Sequence, residues 1–514
     1  MAKVLVVGGA GYVGSTTCAW LLDNGHDVWI LDDLSTGRRD LVLSENFFLG
    51  RAGDESLVLK LTTQVKFDCV MHFAARSLVG ESIEKSQEYF ENNVDQTRIL
   101  LKTLIKSGVY NFIFSSSCAI FGDPGTLDIH EDLPKKPLNP YGETKLEVEK
   151  ELDRLGRSTP LKSIALRYFN AAGAEPNLRV GEAHMPETHL IPRVLKAALN
   201  NTPIEIFGTD YPNPDGTCIR DYIHIWDLAR AHGLAMERLL GIKNDRTGVF
   251  EAYNLGSENG FSVREVISAC EEVTGRKLRV IEKARRLGDP TRLVADSSRA
   301  RSFLGFEAQR TDLHSILSSA WEWEQKVAGR PKPAIFLDRD GTLNEDPGYL
   351  NDPEKLKLLP FVGEALSALS QAGYLLVVVS NQSGVGRGLI PEEMIPKIHR
   401  RLDDLLQPWN VKIDRYALCF HRPEEGCVCR KPKPQLILDA AKSFDIDLSR
   451  SFMVGDKDVD LDAGRNAGCY GSILVKTGEG TKTALQIQDG RALFIAESLL
   501  QAARWILDLK ISDS

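Results

Sequence analysis

At 514 residues the chain is long for one domain, and at about 150 residues per domain the expectation is two to four. A hydrophobic fraction of 43% and a charged fraction of 26% are ordinary for a globular protein. The net charge of −8 argues against nucleic acid as the main partner, and no uninterrupted apolar run is long enough to cross a bilayer.

The chain opens with Met-Ala-Lys and a short apolar run leading straight into glycines. This reads as a strand and not an export signal, so a cytoplasmic location with reduced cysteines is expected. Short apolar runs then alternate with longer amphipathic stretches, the pattern of α/β folding around a parallel sheet. "KVLVVGG", "DVWILDD", "CVMHFAA" and "NFIFSSS" are expected as buried strands, followed much later by "AIFLDRD", "LLVVVSN" and "SFMVGDK". Between the two sets "DLHSILSSAWEWEQKVAG" reads as a helix that Pro331 and Pro333 stop. The expected division is a domain over 1–328, a linker over 329–333 and a domain over 334–508.

"GGAGYVG" follows the first strand and opens a helix, with Gly8, Gly11 and Gly14 at the spacing of a dinucleotide fingerprint. The glycines permit a tight turn, and the helix N-terminus receives a pyrophosphate. Asp32 ends the next strand where a ribose 2′-hydroxyl would be bound, and an acid there favours NAD over NADP. Downstream, Tyr141 and Lys145 share one helix face at i and i+4, with Ser117 earlier in "SSSCAIFG". A cation beside the phenol is expected to lower its pKa toward that of a general base.

With "HFAA", "NNV", "NPYGETK", "RYFNAAGA", "DGTCIRDYIHI" and "RRLGDP" in the same order, residues 1 to about 328 resemble the UDP-glucose 4-epimerases of the extended short-chain dehydrogenase/reductase family. The resemblance implies that Ser117, Tyr141 and Lys145 are catalytic and that Tyr12, Val13, Asp32, Asn92, Tyr141 and Lys145 contact NAD. It also implies that Asn170, Arg220 and Arg286 hold a uridine-diphosphate sugar, the arginines on its diphosphate. It further implies a 4-keto intermediate, retained NAD and a possible homodimer. Four positions depart from the family pattern: Arg51 and Ser77 bear on NAD affinity, His189 replaces a substrate asparagine, and Leu293 replaces a tyrosine that restricts C2 substituents. A dehydratase would need an acidic pair after Ser117, where this chain has Cys118 and Ala119.

In the second half, Asp338 and Asp340 end a strand before Gly341-Thr342, followed by Ser380-Asn381, Arg430-Lys431 and Asp456-Lys457. Asp338, Ser380, Lys431 and Asp456 resemble, in order, the four elements of the haloacid dehalogenase (HAD) superfamily, with no large cap insertion visible. The implied chemistry is Mg2+-dependent phosphoryl transfer. Asp338 is the nucleophile and Asp340 the acid and base; Asp338, Asp456 and the Asp340 carbonyl hold Mg2+; Ser380 and Lys431 hold the phosphoryl oxygens.

Cys419, His421, Cys427 and Cys429 form C-x-H-x5-C-x-C, which offers four ligands to a closed tetrahedral zinc site. The other readings are unligated thiols, or a Cys427–Cys429 disulfide that a reducing compartment disfavours. With "CRKP" and "GDK", the loop is similar to the D-glycero-D-manno-heptose 1,7-bisphosphate 7-phosphatases and shares much with histidinol-phosphate phosphatases. That resemblance adds Asn381, Arg430 and Lys457 to the substrate site. The expectation is a bifunctional enzyme of small-molecule substrates: a Rossmann-type epimerase joined to a Rossmann-like phosphatase with zinc. The alternatives are a nucleotide-heptose epimerase joined to a histidinol-phosphate or other sugar phosphatase, or one half acting only as a binding module.

Overall fold

The computed structural model describes residues 1–125, 128–184, 187–242, 248–286, 289–487 and 490–509. Two units divide the chain, one over Met1–Gly329 and one beginning at Arg330. Both are α/β units on parallel sheets, a Rossmann-type unit followed by a HAD-like one.

The strands of the first unit are β1 (Lys3–Val7), β2 (Asp27–Asp32), β3 (Phe47–Leu49), β4 (Cys69–His72), β5 (Asn111–Ser117), β6 (Lys162–Tyr168), β7 (Asn170–Ala172), β8 (Ile204–Phe207), β9 (Ile219–His224), β10 (Val249–Leu255), β11 (Gly260–Ser262), β12 (Val280–Lys283) and β13 (Arg292–Leu293). Seven of them form a parallel sheet in the order β10-β6-β5-β4-β1-β2-β3. The order reverses between β1 and β4, the switch point where doubly wound sheets bind ligands beyond the strand ends. Both faces are covered: Val4 and Val6 enter one apolar core, and Leu5 and Val7 enter the other. A smaller sheet joins β7, β9, β11 and β13.

The helix Pro140–Ser158 crosses this sheet and is fixed to it by a buried ion pair. Arg167 of β6 reaches Glu149 at 2.7 Å, with side chains 4% and 3% exposed, and Ser116 of β5 donates to the same carboxylate at 2.6 Å. The helix N-terminus is capped by Asn139, which accepts from the Gly142 amide at 2.9 Å. Tyr141 and Lys145 therefore start on a rigid first turn.

The second unit has β14 (Ala334–Leu337), β15 (Leu375–Asn381), β16 (Arg415–Cys419), β17 (Phe452–Gly455), β18 (Gly471–Val475) and β19 (Phe494–Ala496), all parallel in the order β16-β15-β14-β17-β18-β19. Ile335 and Leu337 pack into one core, and Ala334 and Phe336 into the other. The connection from β14 to β15 contains one α-helix, Val362–Gln371, and no inserted cap domain.

Replacing Arg167 with Met leaves Glu149 buried without its ion-pair partner, held only by the Ser116 hydroxyl among the contacts described above. Denaturant unfolding of the full chain should show a loss of about 3–5 kcal/mol, much of it recovered in Arg167→Met/Glu149→Leu. Equal stability of the single variant and the wild type would contradict this role.

Candidate active sites

In the first unit the glycine loop leaves β1 and enters the helix Tyr12–Asp23, whose N-cap is Gly11. Gly8 has φ +87°, and a Cβ there would lie 2.3 Å from the Ala74 amide nitrogen. A Cβ on Gly14 would meet the Gly8 carbonyl at 2.1 Å, whereas one on Gly11 meets nothing nearer than 3.7 Å. Gly8 and Gly14 thus close the turn, and Gly11 keeps open the concave side that a pyrophosphate would fill. The Tyr12 and Val13 amides precede the first intrahelical bond, from Ser15 N to Gly11 O, and supply the donors of a helix N-terminus. The Tyr12 side chain is buried, with its hydroxyl donating to the Gly173 carbonyl at 2.6 Å. Asp32 accepts from the Ala10 and Leu34 amides at 2.9 and 2.8 Å, and burial raises its pKa.

Asn92 lies in a π-turn over Glu91–Asp95, a local unwinding common at functional sites. Asn92 donates through Nδ2 to Asn93 Oδ1 at 3.0 Å, and Asn93 also accepts from the Arg76 amide and donates to the Arg76 carbonyl and to Thr144 on the helix Pro140–Ser158. Ser77 is half-buried in that clasped loop, and Arg51 is exposed, 3.7 Å from Asp33.

Ser117 ends β5, and its hydroxyl accepts from the Ala119 amide at 3.2 Å. Burial pushes the Tyr141 phenol up to about 12, opposed by the nearby Ser117 hydroxyl. Lys145 donates to the Ser115 carbonyl at 2.8 Å, with its ammonium 5.7 Å from the Tyr141 ring centroid. Burial pushes Lys145 down to about 7, opposed by Glu149. The expected order of effects is corrected here: loss of solvent dominates both groups, and the lysine is not among the causes that shift the tyrosine.

Asn170 of β7 donates to the Asp221 carbonyl at 3.0 Å, and Arg220 of β9 is ion-paired with Asp289. Arg286 is exposed, its guanidinium 3.9 Å from the Phe207 ring centroid. Leu293 pairs in register with Arg220 and packs with Cys118 against the cluster of Ile120 and Phe121.

In the second unit the motif residues meet at the carboxyl ends of β14, β15 and β17. Asp338, Asp456 and Asp460 are all buried, with one oxygen of each within 4.8 Å of the others. Lys431 lies 2.8 Å from Asp338 and 2.6 Å from Asp460. Burial and then the Asp338 charge raise Asp456 to about 7, and burial and then Asp338, opposed by Lys431, hold Asp460 at about 6. One Asp456 oxygen accepts from the Glu479 amide at 2.8 Å, and the other is buried without a partner. Three buried carboxylates, one lysine and an orphaned oxygen fit a divalent hard cation. Gly341 (φ +88°) and Gly478 (φ +53°) sit so close that a Cβ on either would strike Asp456, at 2.4 and 2.3 Å.

The Asp340 side chain stands outside this cluster. Arg339 at 2.7 Å, Gln382 at 2.8 Å and Asn344 at 2.9 Å hold its carboxylate, and despite burial their net effect, Arg339 foremost, is to lower its pKa. Ser380 is buried and accepts from Gln382 at 3.0 Å. Asn381, expected on substrate, instead bonds the Lys431 backbone through both its oxygen and its nitrogen, so it positions Lys431. Lys457 pairs with Asp346 at 3.2 Å, and Arg430 donates to the His421 carbonyl at 3.4 Å. Sequence reasoning missed Asp460, although it lies four residues after Asp456 on the same short segment.

Cys419, His421, Cys427 and Cys429 converge at the end of β16. The Cys419–Cys427 and Cys429–Cys427 sulfur separations are both 3.6 Å, and His421 Nδ1 lies 3.6 Å from Cys419 and 3.3 Å from Cys429. A tetrahedral zinc with bonds of about 2.3 Å spaces its sulfurs by roughly 3.8 Å, so the donor set fits that ion. Gln382 N donates to the Cys419 carbonyl at 2.7 Å, which ties the loop to the segment holding Ser380.

Residues 4–256 match the NAD-dependent epimerase/dehydratase family profile. The UDP-glucose 4-epimerase of Halalkalibacterium halodurans is 46% identical over 324 residues, 63% of this chain and 96% of that protein. The chain belongs to the NAD-dependent epimerase/dehydratase family. The Corynebacterium glutamicum UDP-glucose 4-epimerase is 43% identical, covering 65% of this chain and 98% of its own length. The Brucella ovis UDP-glucose 4-epimerase, solved with NAD, superposes with a TM-score of 0.60 at 43% identity, over 63% of this chain and 98% of that one. Beyond the epimerase-family unit, residues 428–502 match a HAD-hydrolase-like profile.

Lys145 gives the epimerase-family unit a pH signature. Its folded pKa near 7 lies below the ordinary 10.5, so between those values the unfolded chain binds a proton that the folded chain has released. Cofactor-stripped wild type should therefore gain stability relative to Lys145→Met, by a few kcal/mol, as pH rises from about 7 to about 10. Thermal unfolding across that range measures the difference, and parallel curves would contradict it.

Proposed function

We propose that the chain is bifunctional, a UDP-hexose 4-epimerase joined to a Mg2+-dependent sugar-phosphate phosphatase. The epimerase reading is carried by the convergence of Ser117, Tyr141 and Lys145 beside a glycine loop, in a unit matching UDP-glucose 4-epimerases along nearly their whole length. Tyr141 takes the proton from the sugar 4-hydroxyl while Ser117 holds that oxygen. NAD, when bound, supplies the hydride acceptor for C4 and a positively charged ring near the phenol. Lys145 shares the buried site with Tyr141 and helps orient the cofactor ribose. Asn170, Arg220 and Arg286 keep the uridine diphosphate anchored while the 4-keto sugar turns over, and Tyr141 then returns its proton on the new face.

In the second unit Asp338 attacks phosphorus, the bond from phosphorus to the sugar oxygen breaks, and Asp340 gives that oxygen its proton, leaving the sugar alcohol and an aspartyl-phosphate. Asp340, now a carboxylate and favoured in that form by Arg339, Asn344 and Gln382, activates the water that hydrolyses the aspartyl-phosphate to phosphate and free Asp338. Asp338, Asp456 and Asp460, with the Asp340 carbonyl, would hold Mg2+, which supplies neutralisation of the charge developing on the phosphoryl group. Ser380 and Lys431 bind the phosphoryl oxygens, and Arg430 and Lys457 extend the site toward the rest of the substrate. The observation that carries this reading is the buried Asp338–Lys431–Asp456–Asp460 cluster. The substrate class is a small sugar phosphate of the heptose-bisphosphate type, consistent with the absence of a cap domain and with the zinc-type loop beside Ser380.

With UDP-galactose deuterated at C4, the UDP-glucose formed should keep its deuterium at C4 by NMR. Washout into solvent would overturn hydride return. Phosphate release by the full chain should need Mg2+ and be fastest with heptose bisphosphate in a panel that includes histidinol phosphate and hexose phosphates. Cys427→Ser should lose zinc and at least ~10-fold in that rate together, as disruption around a metal shell does. Full activity without zinc would contradict a role for the metal in holding Arg430 and Lys431.

A further inference from the structure

The segment between β7 and the helix Leu190–Asn200 contains "GEAHMPETHL", which neither proposed reaction uses as a group. Glu182, His184, Glu187 and His189 each place one ligand atom within 4.8 Å of all the others. The described ion-pair partners of the two glutamates are the two histidines: His184 Nδ1 lies 2.5 Å from Glu182, and His189 Nδ1 lies 2.9 Å from Glu187. The glutamate side chains are only 7% and 6% exposed. Two carboxylates drawn together out of water repel unless a cation joins them.

The hydrogen bonding of the cluster is incomplete. Among the described residues Glu187 Oε2 is buried with no partner, and His184 Nδ1 approaches Glu182 without hydrogen-bond geometry. An unmade bond at a buried carboxylate oxygen costs about 1–3 kcal/mol or more, so a donor set left open in this way points to a missing acceptor of electron pairs. Glu182 is also locally preset, because its Oε1 accepts from the Ala183 and His184 amides at 2.8 and 2.9 Å. Two imidazole nitrogens and two carboxylates suit a first-row divalent cation of the zinc type, and small rotations would close the set to the ~3.4 Å ligand spacing of a tetrahedral shell.

We infer that Glu182, His184, Glu187 and His189 form a second metal site in the chain, one that binds a zinc-like divalent cation. The site is structural, since four protein ligands leave no open position. It fastens Glu182 and His184 to Glu187 and His189 at the N-terminus of the helix Leu190–Asn200, and it backs Tyr12, whose ring meets His184 edge-on at 6.5 Å. Tyr12 begins the helix at the dinucleotide loop, so the ion links the cofactor side of the unit to its substrate side. His189 then serves as a ligand through Nδ1, which revises its expected place on substrate.

The test uses the full-length chain carrying Cys427→Ser/Cys429→Ser, which removes the cysteine loop as a zinc source. After zinc loading and gel filtration, elemental analysis should find one zinc per chain, and adding His184→Ala or Glu187→Gln should remove it while circular dichroism stays unchanged. If those additional variants do not fold, cobalt loading of the double cysteine variant in excess Mg2+, which occupies the Asp338–Asp456–Asp460 cluster, decides the matter. Bound cobalt with d–d absorption and no thiolate charge-transfer band supports the site. Absence of bound zinc and cobalt from the double cysteine variant, or zinc retained in both added variants, would overturn it.

Discussion

Each active site buries ionisable groups at the carboxyl ends of parallel strands, where they have lost their water and must find charge of the opposite sign. In the second unit Lys431 stands among Asp338, Asp456 and Asp460, one cation for three buried acids. Burial first, and then the charge of Asp338, raises Asp456 and Asp460, and the surplus of acids makes the pocket receptive to a divalent ion. In the first unit Tyr141 and Lys145 face the same loss of solvent with no carboxylate in contact, and each moves toward its neutral form. On the proposed epimerase reading, the missing charge there belongs to the cofactor and substrate.

The scaffolding exists to hold these unfavourable arrangements. The Arg167–Glu149 pair and Ser116 fix the helix Pro140–Ser158 to β5 and β6. Asn93 clasps the loop after β4 and the same helix through Thr144. In the second unit Asn381 fixes the Lys431 backbone, Gly341 and Gly478 let the chain approach Asp456, and Arg339 with Gln382 and Asn344 holds Asp340 apart from the acid cluster. Positioning of this kind accounts for more residues than the chemistry itself does.

The parts of the fold that were legible in the sequence are those with strong local signals. Buried parallel strands such as Lys3–Val7 and Leu375–Asn381 read as apolar runs, and the glycine loop and the acidic strand ends mark their own turns. Strand β6 is less legible, because "KSIALRY" carries Lys162 and Arg167, whose charges are met by distant partners at Leu239, Ile242, Glu131 and Glu149. Asn381 shows the same limit at a site: its residue type suits a ligand contact, and only the fold reveals that the Lys431 backbone occupies it. Asp460 and the Glu182–His189 cluster were visible as residue types, but their meaning depends on burial and mutual distance, which spacing alone does not give.

The central claim is that one chain carries two separate catalysts. The most direct measurement assays a single purified preparation for UDP-galactose to UDP-glucose conversion by NMR and for Mg2+-dependent phosphate release from heptose bisphosphate, in wild type, Tyr141→Phe and Asp338→Asn. The account predicts that Tyr141→Phe loses only epimerisation and Asp338→Asn loses only phosphate release. Wild type lacking either activity, or either activity surviving the loss of its own catalytic group, would contradict it.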